Sequence, residues 1–393
     1  MHKRRYKQFL MLQQRYVQRS KRAERPRIIT PPEEARRFMY ECLRAVGMPE
    51  GNAAVIADNL LEADLRGLYS HGMNRLERYI KDVKQGSADG AATPVVVKES
   101  TSAAVVDGRN SMGSVVGTFC MDLAIEKAKA TGIGIAVAFN SNHFGIAGIY
   151  AKQAIKQGCV GLIFSNTTPI MVPTRAKEPA LGTNPLAMGA PGKGDEFVLD
   201  IATTAVAIGK IEYYKRKNEP IPEGWALNEA GEVEIDPNVA LKAGKLMPLG
   251  GTELNSGYKG FGLGMFVEIL CGILSGSNYG PLIPKWGANA ENRNLGHCFI
   301  AIDPKHFTPG FEDRMTDLMD IIRNLEPVDP KRPVLVPGDV ERQHEEKVRK
   351  YGGLCYIQNQ HDTNAKLAQE LGVKPMGSVA AKPICSCKNK NKK

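Results

Sequence analysis

The spacing of apolar residues divides this chain into a helical opening and a longer stretch where strands and helices alternate. Thr30-Pro-Pro-Glu33 offers an N-cap residue, a proline at the first helical position and an acid at the third, a helix-start signature. That helix is expected to reach about Ala45 and stop near Gly47. A second is predicted from about Glu50 to Arg66, with Ala54, Ile56, Ala57, Leu60 and Leu61 along one side. A third follows Gly72 through Leu76, Tyr79, Ile80 and Val83. The period then changes. Residues 94–98 and 103–106 read as a strand pair, and 113–130 as a helix rich in small residues. An apolar run at 133–139 is expected to be a buried strand, after which 145–158 return to helical spacing through Ile146, Ile149, Tyr150, Ala154 and Ile155. Strands are predicted at 160–164, 185–188, 197–201 and 298–302, and helices at 205–214, 262–276 and 312–325. The stretch 219–254, rich in Gly, Pro and acids, reads as a long excursion over the surface. Beyond residue 336 the pattern weakens, and 375–393 has the composition of a disordered tail.

Charge refines this picture. The net charge of +10 is misleading: residues 1–27 carry +9 and residues 382–393 carry +5, which leaves the body at −4. A slightly acidic body between two basic tails does not suggest nucleic-acid binding. The first tail, 1–27, reads as a disordered basic arm, with a mitochondrial transit peptide as the alternative. Eight scattered cysteines show no metal-ligand spacing and suit reduced thiols in an intracellular, cytoplasmic setting. No apolar run reaches about 18 residues, so no membrane span is expected.

The candidate chemistry sits at element ends. Asn140–Ala147, NSNHFGIA, follows the 133–139 strand and opens the next helix, placing His143 where a helix N-terminus favours an anion. Residues 65–75, LRGLYSHGMNR, join two helices and bring Ser70, His71 and Arg75 together. An arginine there could hold a carboxylate through two parallel hydrogen bonds, and a histidine could trade a proton with a neighbouring hydroxyl or keto oxygen. Further polar turns are FSNTTP at 164–169, LGTNP at 181–185 and VPGDVER at 336–342. Asp200 lies in an otherwise apolar strand and should have a partner, a histidine or a ligand. Lys259 opens a helix, a place for a cation only if an anion binds too. Seven polar turns in one chain point to a shared ligand site.

Several motifs are absent. No Gly-x-Gly-x-x-Gly follows a strand, no P-loop or His-Glu-x-x-His is present, and no Gly-x-Ser-x-Gly elbow appears, so neither a conventional Rossmann module nor an α/β-hydrolase is supported. A hydrolase built on Ser70, His71 and Asp200 is a weak alternative, since adjacent Ser and His side chains rarely face each other.

Taken together, Arg66–Gly72 with Arg75, SNHFG at 141–145, SNT at 165–167, GTNP at 182–185, LDIATT at 199–204, YKGFGL at 258–263, GHCFIAIDP at 296–304 and VPGD at 336–339 resemble the malate/L-lactate dehydrogenase family of non-Rossmann oxidoreductases. The resemblance implies an α+β fold: a helical domain over 28–90, joined by segments near 305–350, and a mixed, mostly antiparallel-sheet NAD(P)-binding domain over 91–304, with 351–393 a weakly structured tail. It implies a homodimer acting on a small 2-hydroxy acid, malate first, with NAD as cofactor and NADP as the alternative; no nucleic acid, membrane or metal enters. His143 or His71 would transfer the proton, and Ser70 and Asp200 match a relay with His71. Arg75 would grip the substrate carboxylate. The cofactor contacts would be His143, Phe144, Gly145, Asn166, Thr167, Gly182, Thr183, Asn184, Asp200, Lys259, Pro337 and Gly338. Asp339 departs from the pattern, since relatives more often carry Glu there.

Overall fold

The structure, a computed structural model, describes residues 28–285 and 292–380. The basic arm, the segment 381–393 and Cys385 and Cys387 lie outside the described residues. The chain opens with β1 (Ile28–Ile29) and three helices, α1 (Pro32–Ala45), α2 (Glu50–Leu65) and α3 (Leu76–Lys84). Strands and helices then alternate: β2 (Val95–Glu99), β3 (Ala103–Asp107), α4 (Gly113–Thr131), β4 (Ile133–Ser141), α5 (Gly148–Lys156), β5 (Val160–Ser165), β6 (Leu186–Gly192) and β7 (Asp195–Ile201). After them come α6 (Ile208–Lys217), β8 (Ala226–Leu227), β9 (Val233–Glu234), α7 (Pro237–Ala243), β10 (Lys245–Leu246) and α8 (Gly257–Glu268). The chain closes with β11 (Leu295–Ile302), α9 (Phe311–Arg323), α10 (Asp339–Tyr351), α11 (Gln358–Leu371) and β12 (Val379–Ala380).

A seven-stranded sheet in the order β2-β3-β4-β11-β5-β6-β7 forms the centre, antiparallel throughout except for the β3–β4 pair. This is the mixed, mostly antiparallel α+β arrangement expected. Side-chain alternation assigns the two faces. Ala136, Ala138, Ile163, Ala187, Phe299 and Ala301 turn towards α4 and α5. Most of these are small, and glycines let the helices close on the sheet: a Cβ on Gly134 would stand 2.0 Å from the Ala124 carbonyl oxygen, and one on Gly161 2.7 Å from Ala154 Cβ. The opposite face, with Val137, Phe164 and Cys298, packs on Val267 and Cys271.

Four expectations are corrected. Thr30 does not cap α1; its N–H and C=O pair with Leu354, and Pro31 takes the cap position. Residues 219–254 are not a bare excursion. They carry α7 and a three-stranded sheet, and Ile221, Ala226, Ala240 and Leu246 form a small core with Ile211. The helix expected at 262–276 starts earlier, as α8, and ends in a π-helical turn over Ile269–Ile273. The segment after residue 351 is structured up to its last described residues: α11 buries Leu367 and Ala368, and Leu354 and Tyr356 join the same core, against α1 and α2. With so few apolar positions, α11 leaves little periodicity to detect.

Candidate active site

The turn after α2 is built by local chemistry. Gly67 is left-handed, at φ +81°, a conformation open to glycine. The chain then doubles back, with Leu68 N–H on the Ala63 carbonyl and His71 N–H on the Leu68 carbonyl, before a 3₁₀ turn over Met73–Arg75. Ser70 Oγ lies 2.9 Å from His71 Nδ1, and Arg75 Nε donates to the Ser70 carbonyl at 2.6 Å. The adjacent serine and histidine therefore do meet, against expectation.

The second turn follows β4. Arg293 donates to Asn142 Oδ1 at 2.8 Å and pairs with Asp82 at 3.0 Å, pinning the end of the strand. Gly145, at φ +83°, closes the turn. His143 thereby faces His71: their rings stack at 5.7 Å between centroids and 24° between planes. The Tyr79 hydroxyl is hydrogen-bonded to His143 Nδ1 at 2.7 Å. Burial pushes His71 down to about 4, helped by the Arg75 charge. His143 is held well below the ordinary imidazole value, first by burial and then by His71 and Arg75. Both rings are therefore neutral at pH 7, which suits proton acceptors.

Asp200 has a different partner from those expected. Its Oδ2 accepts the Gly148 N–H at 2.7 Å, so a protein carboxylate occupies the start of α5. Burial lifts this carboxyl to about 6 against the Gly148 hydrogen bond and the Arg66 charge. Among the described residues no hydrogen bond joins Asp200 to His71. The Ser70–His71 contact thus stands without the third member of the expected relay.

Asp200 pairs across the sheet with Ala187, which leads to the remaining turns. Thr167 and Thr183 hydroxyls lie 3.3 Å apart, and Thr167 N–H donates to Asn184 Oδ1 at 3.2 Å. A Cβ on Gly182 would fall 2.0 Å from Thr167 Oγ1, so only glycine fits. Asn184 Nδ2 reaches the Gly264 carbonyl of α8, the helix whose exposed Lys259 lies near its start. Pro337 and Gly338 sit against the middle of β7, where the Pro337 carbonyl accepts Val198 N–H at 3.2 Å. Asp339 is consumed internally, accepting from Arg323 at 2.8 Å and from Arg342. Three of the expected contact residues do not present side chains to solvent. Phe144 stacks on His297 in the core, 4.8 Å between centroids, and Asn166 and Asn184 are fully buried.

Sequence patterns did not single out Tyr79, Glu268 or His297 as site residues. Tyr79 falls four residues after Arg75 on the same helical face, a usable signal. Glu268 accepts from both Asn166 and Asn184. His297 ties Ser165 at 2.9 Å to Ser141 at 2.8 Å, joining the strands before the two SN turns.

The family profile described as malate/L-lactate dehydrogenase matches residues 30–362. The chain belongs to this family. It is thus an oxidoreductase, a dehydrogenase of 2-hydroxy acids. It is 45% identical over 297 residues to a malate dehydrogenase of Pyrococcus abyssi, covering 75% of this chain and 82% of that protein. It is 38% identical over 349 residues to an L-sulfolactate dehydrogenase of Methanocaldococcus jannaschii, covering 88% and 98%. The solved malate dehydrogenase of Pyrococcus horikoshii superposes with a TM-score of 0.82 at 36% identity, over 90% of this chain and 98% of that one.

Proposed function

We propose that this dehydrogenase interconverts malate and oxaloacetate with NAD, as a homodimer in the cytoplasm. The observation that carries this reading is the stacked His71–His143 pair beside Arg75. In the oxidative direction Arg75 holds the substrate carboxylate, so that the carbon bearing the hydroxyl is fixed. The hydroxyl proton passes to a neutral imidazole, the C–H electron pair leaves as hydride, and the C–O bond becomes a carbonyl. A bound nicotinamide dinucleotide supplies the hydride acceptor. Tyr79 fixes the ring orientation of His143, and Ser70 engages His71 Nδ1, which directs Nε2 to the substrate.

The donor set beside β6 fits a dinucleotide: two threonine hydroxyls and one exposed ammonium near a helix start suit phosphate and ribose oxygens. Asn166 and Asn184 would shape those turns from beneath, while Gly145 and the Pro337–Gly338 turn would border the same groove. Malate is favoured by the name of the Pyrococcus relative. The free thiols of Cys42, Cys120, Cys159, Cys271, Cys298 and Cys355 support a reducing compartment. No helix among the described residues is long and apolar enough to cross a membrane. Dimerisation is supported by Phe266, Ile269, Ile273 and Leu274, which leave an apolar stripe about half exposed along α8 and its π turn.

The test is a panel of malate, lactate, sulfolactate and ureidoglycolate with NAD and NADP, using the full chain. Malate with NAD should turn over fastest. His143→Ala and His71→Ala should each lose most turnover and still bind cofactor. Normal turnover in either variant removes that histidine from the mechanism, and a monomer by light scattering removes the dimer.

A further inference from the structure

The turn that carries His71 and Arg75 rests on a buried carboxylate. Asp64 is fully buried near the end of α2, and its Oδ2 accepts the Met73 N–H at 2.9 Å and the Tyr356 hydroxyl at 2.7 Å. Its other oxygen has no hydrogen-bond partner and is wedged under Gly72, where a Cβ would stand 1.9 Å from it. Among the described residues no lysine or arginine pairs with Asp64. Tyr356 arrives from a distant part of the chain. It follows α10, whose His344 donates from Nδ1 to the Leu65 carbonyl at 2.8 Å and is hydrogen-bonded through Nε2 to the Tyr69 hydroxyl at 3.4 Å. The Tyr69 ring meets both His344 and Tyr356 edge-on, at 5.6 and 5.9 Å between centroids. The far end of α10 begins at the Pro337–Gly338 turn, so one helix of about 20 Å touches both the β7 edge and the catalytic turn.

We propose that Asp64 and Tyr356 are positioning residues for the reaction: through the Met73 N–H they set the turn that aims His71 and Arg75, and the segment 339–356 acts as its strap. The role is rooted in donor and acceptor chemistry. Both partners of Oδ2 are donors, so the group between them must accept twice. A carboxylate does this without burying a further donor. An amide at the same place would put an N–H₂ where the orphan oxygen lies, with nothing to receive it. Burial lifts the Asp64 carboxyl to about 7 despite the Tyr356 and Met73 hydrogen bonds, a cost consistent with a fixed task.

This inference rests on the dehydrogenase reading, and the experiment separates the two. Tyr356→Phe, Asp64→Asn and the double variant are made in the full chain. Melting, cofactor affinity and turnover of malate are measured, together with hydrogen exchange of the peptide spanning 67–75. Tyr356→Phe should lower kcat/KM for malate about five- to tenfold, as expected for one buried hydrogen bond, while cofactor affinity changes less than about twofold. Exchange in 67–75 should quicken about tenfold with the rest of the chain unchanged. Asp64→Asn should lose more than Tyr356→Phe, and the double variant should be no worse than Asp64→Asn alone, because the two residues act through one contact. Unchanged turnover in Tyr356→Phe, additive losses, or cofactor affinity falling in step with turnover would overturn the proposal. If the unmodified chain oxidises no acid of the panel, the functional reading fails instead. The exchange result then decides the strap by itself: unchanged exchange in Tyr356→Phe sinks it.

Discussion

Two buried carboxylates hold the two halves of the site, and they do so differently. Glu268, at the end of α8, uses both oxygens. Oε1 accepts from Asn166 Nδ2 at 3.1 Å and from the Gly280 N–H at 2.9 Å, and Oε2 from Asn184 Nδ2 at 2.6 Å. Asp64 uses one oxygen and leaves the other unsatisfied. Among the described residues neither is paired with a lysine or arginine, so hydrogen-bond donors alone engage each carboxyl group. The contrast shows a division of labour. The cofactor-side turns are over-determined from beneath, with three donors meeting one carboxylate. The proton-transfer turn is held by a marginal contact that tolerates little change, because Gly72 and Tyr356 must both fit around it.

The largest expected effect is at Glu268. Glu268→Leu keeps the volume roughly constant but leaves the Gly280 N–H and one N–H of each asparagine amide without an acceptor, while the amides retain the Asn278 and Gly264 carbonyls. At about 1–3 kcal/mol per buried unsatisfied group, stability should fall by about 4 kcal/mol or more, and cofactor binding should vanish with it. Chemical denaturation and fluorescence titration with the reduced cofactor check both. Glu268→Gln can still accept at one position and should recover part of the loss. If Glu268→Leu folds and binds cofactor normally, the carboxylate is not the hub of those turns.

The same contrast explains what could be read from the chain alone. His71 with Arg75, His143 and the strand over Ile133–Ser141 were legible because each lies within one local pattern. Asp200 was legible as a buried acid in need of a partner, but the partner, Gly148 N–H, belongs to a helix start whose first residue periodicity placed three positions too early. Asp64 was hidden. It falls on a helix as an ordinary polar residue, and its partner Tyr356 stands 292 residues away. His297 was hidden for a similar reason: it connects two serines from strands that only the sheet order makes neighbours. Contacts of that span leave no periodicity, and the tyrosine that orients His143 resembled one more residue of an apolar stripe.

A smaller effect separates the carboxylates by pH. The folded Asp64 value, about 7, exceeds the ordinary 3.8. The native state therefore keeps a proton that the unfolded chain has released, and this group's contribution to stability is greatest below about pH 4 and declines as pH rises to about 7. Asp339 behaves oppositely. Its value is lowered to about 2, by the Arg323 and Val336 N–H hydrogen bonds acting against burial. Its contribution is present above about pH 4 and is lost between there and about 2. The difference in unfolding free energy between the unmodified chain and Asp64→Asn should thus shift in favour of the variant by up to about 3 kcal/mol from pH 4 to 7. A flat difference would mean that Asp64 titrates as an exposed acid.

The smallest expected change is in turnover near neutrality, and its smallness is informative. An ordinary imidazole base would halve kcat/KM for hydroxy-acid oxidation as pH falls to about 6.5. Here His71 sits at about 4 and His143 well below the ordinary imidazole value, because burial and then the Arg75 charge disfavour protonation. The stacked rings titrate as a pair, so the profile reports apparent values for both. Between pH 6 and 8, kcat/KM should change less than about twofold on their account, with the acid limb displaced towards 4–5. Two carboxyls near these turns titrate in or at the edge of that range, Asp64 at about 7 and Asp200 at about 6. A step near neutrality that disappears in Asp64→Asn belongs to the support beneath the turn and would sharpen the contrast drawn above. A step near 6.5 that persists in both Asp64→Asn and Asp200→Asn would mean that the accepting imidazole is solvated and ordinary. The desolvated His71–His143 pair would then not be the proton acceptor.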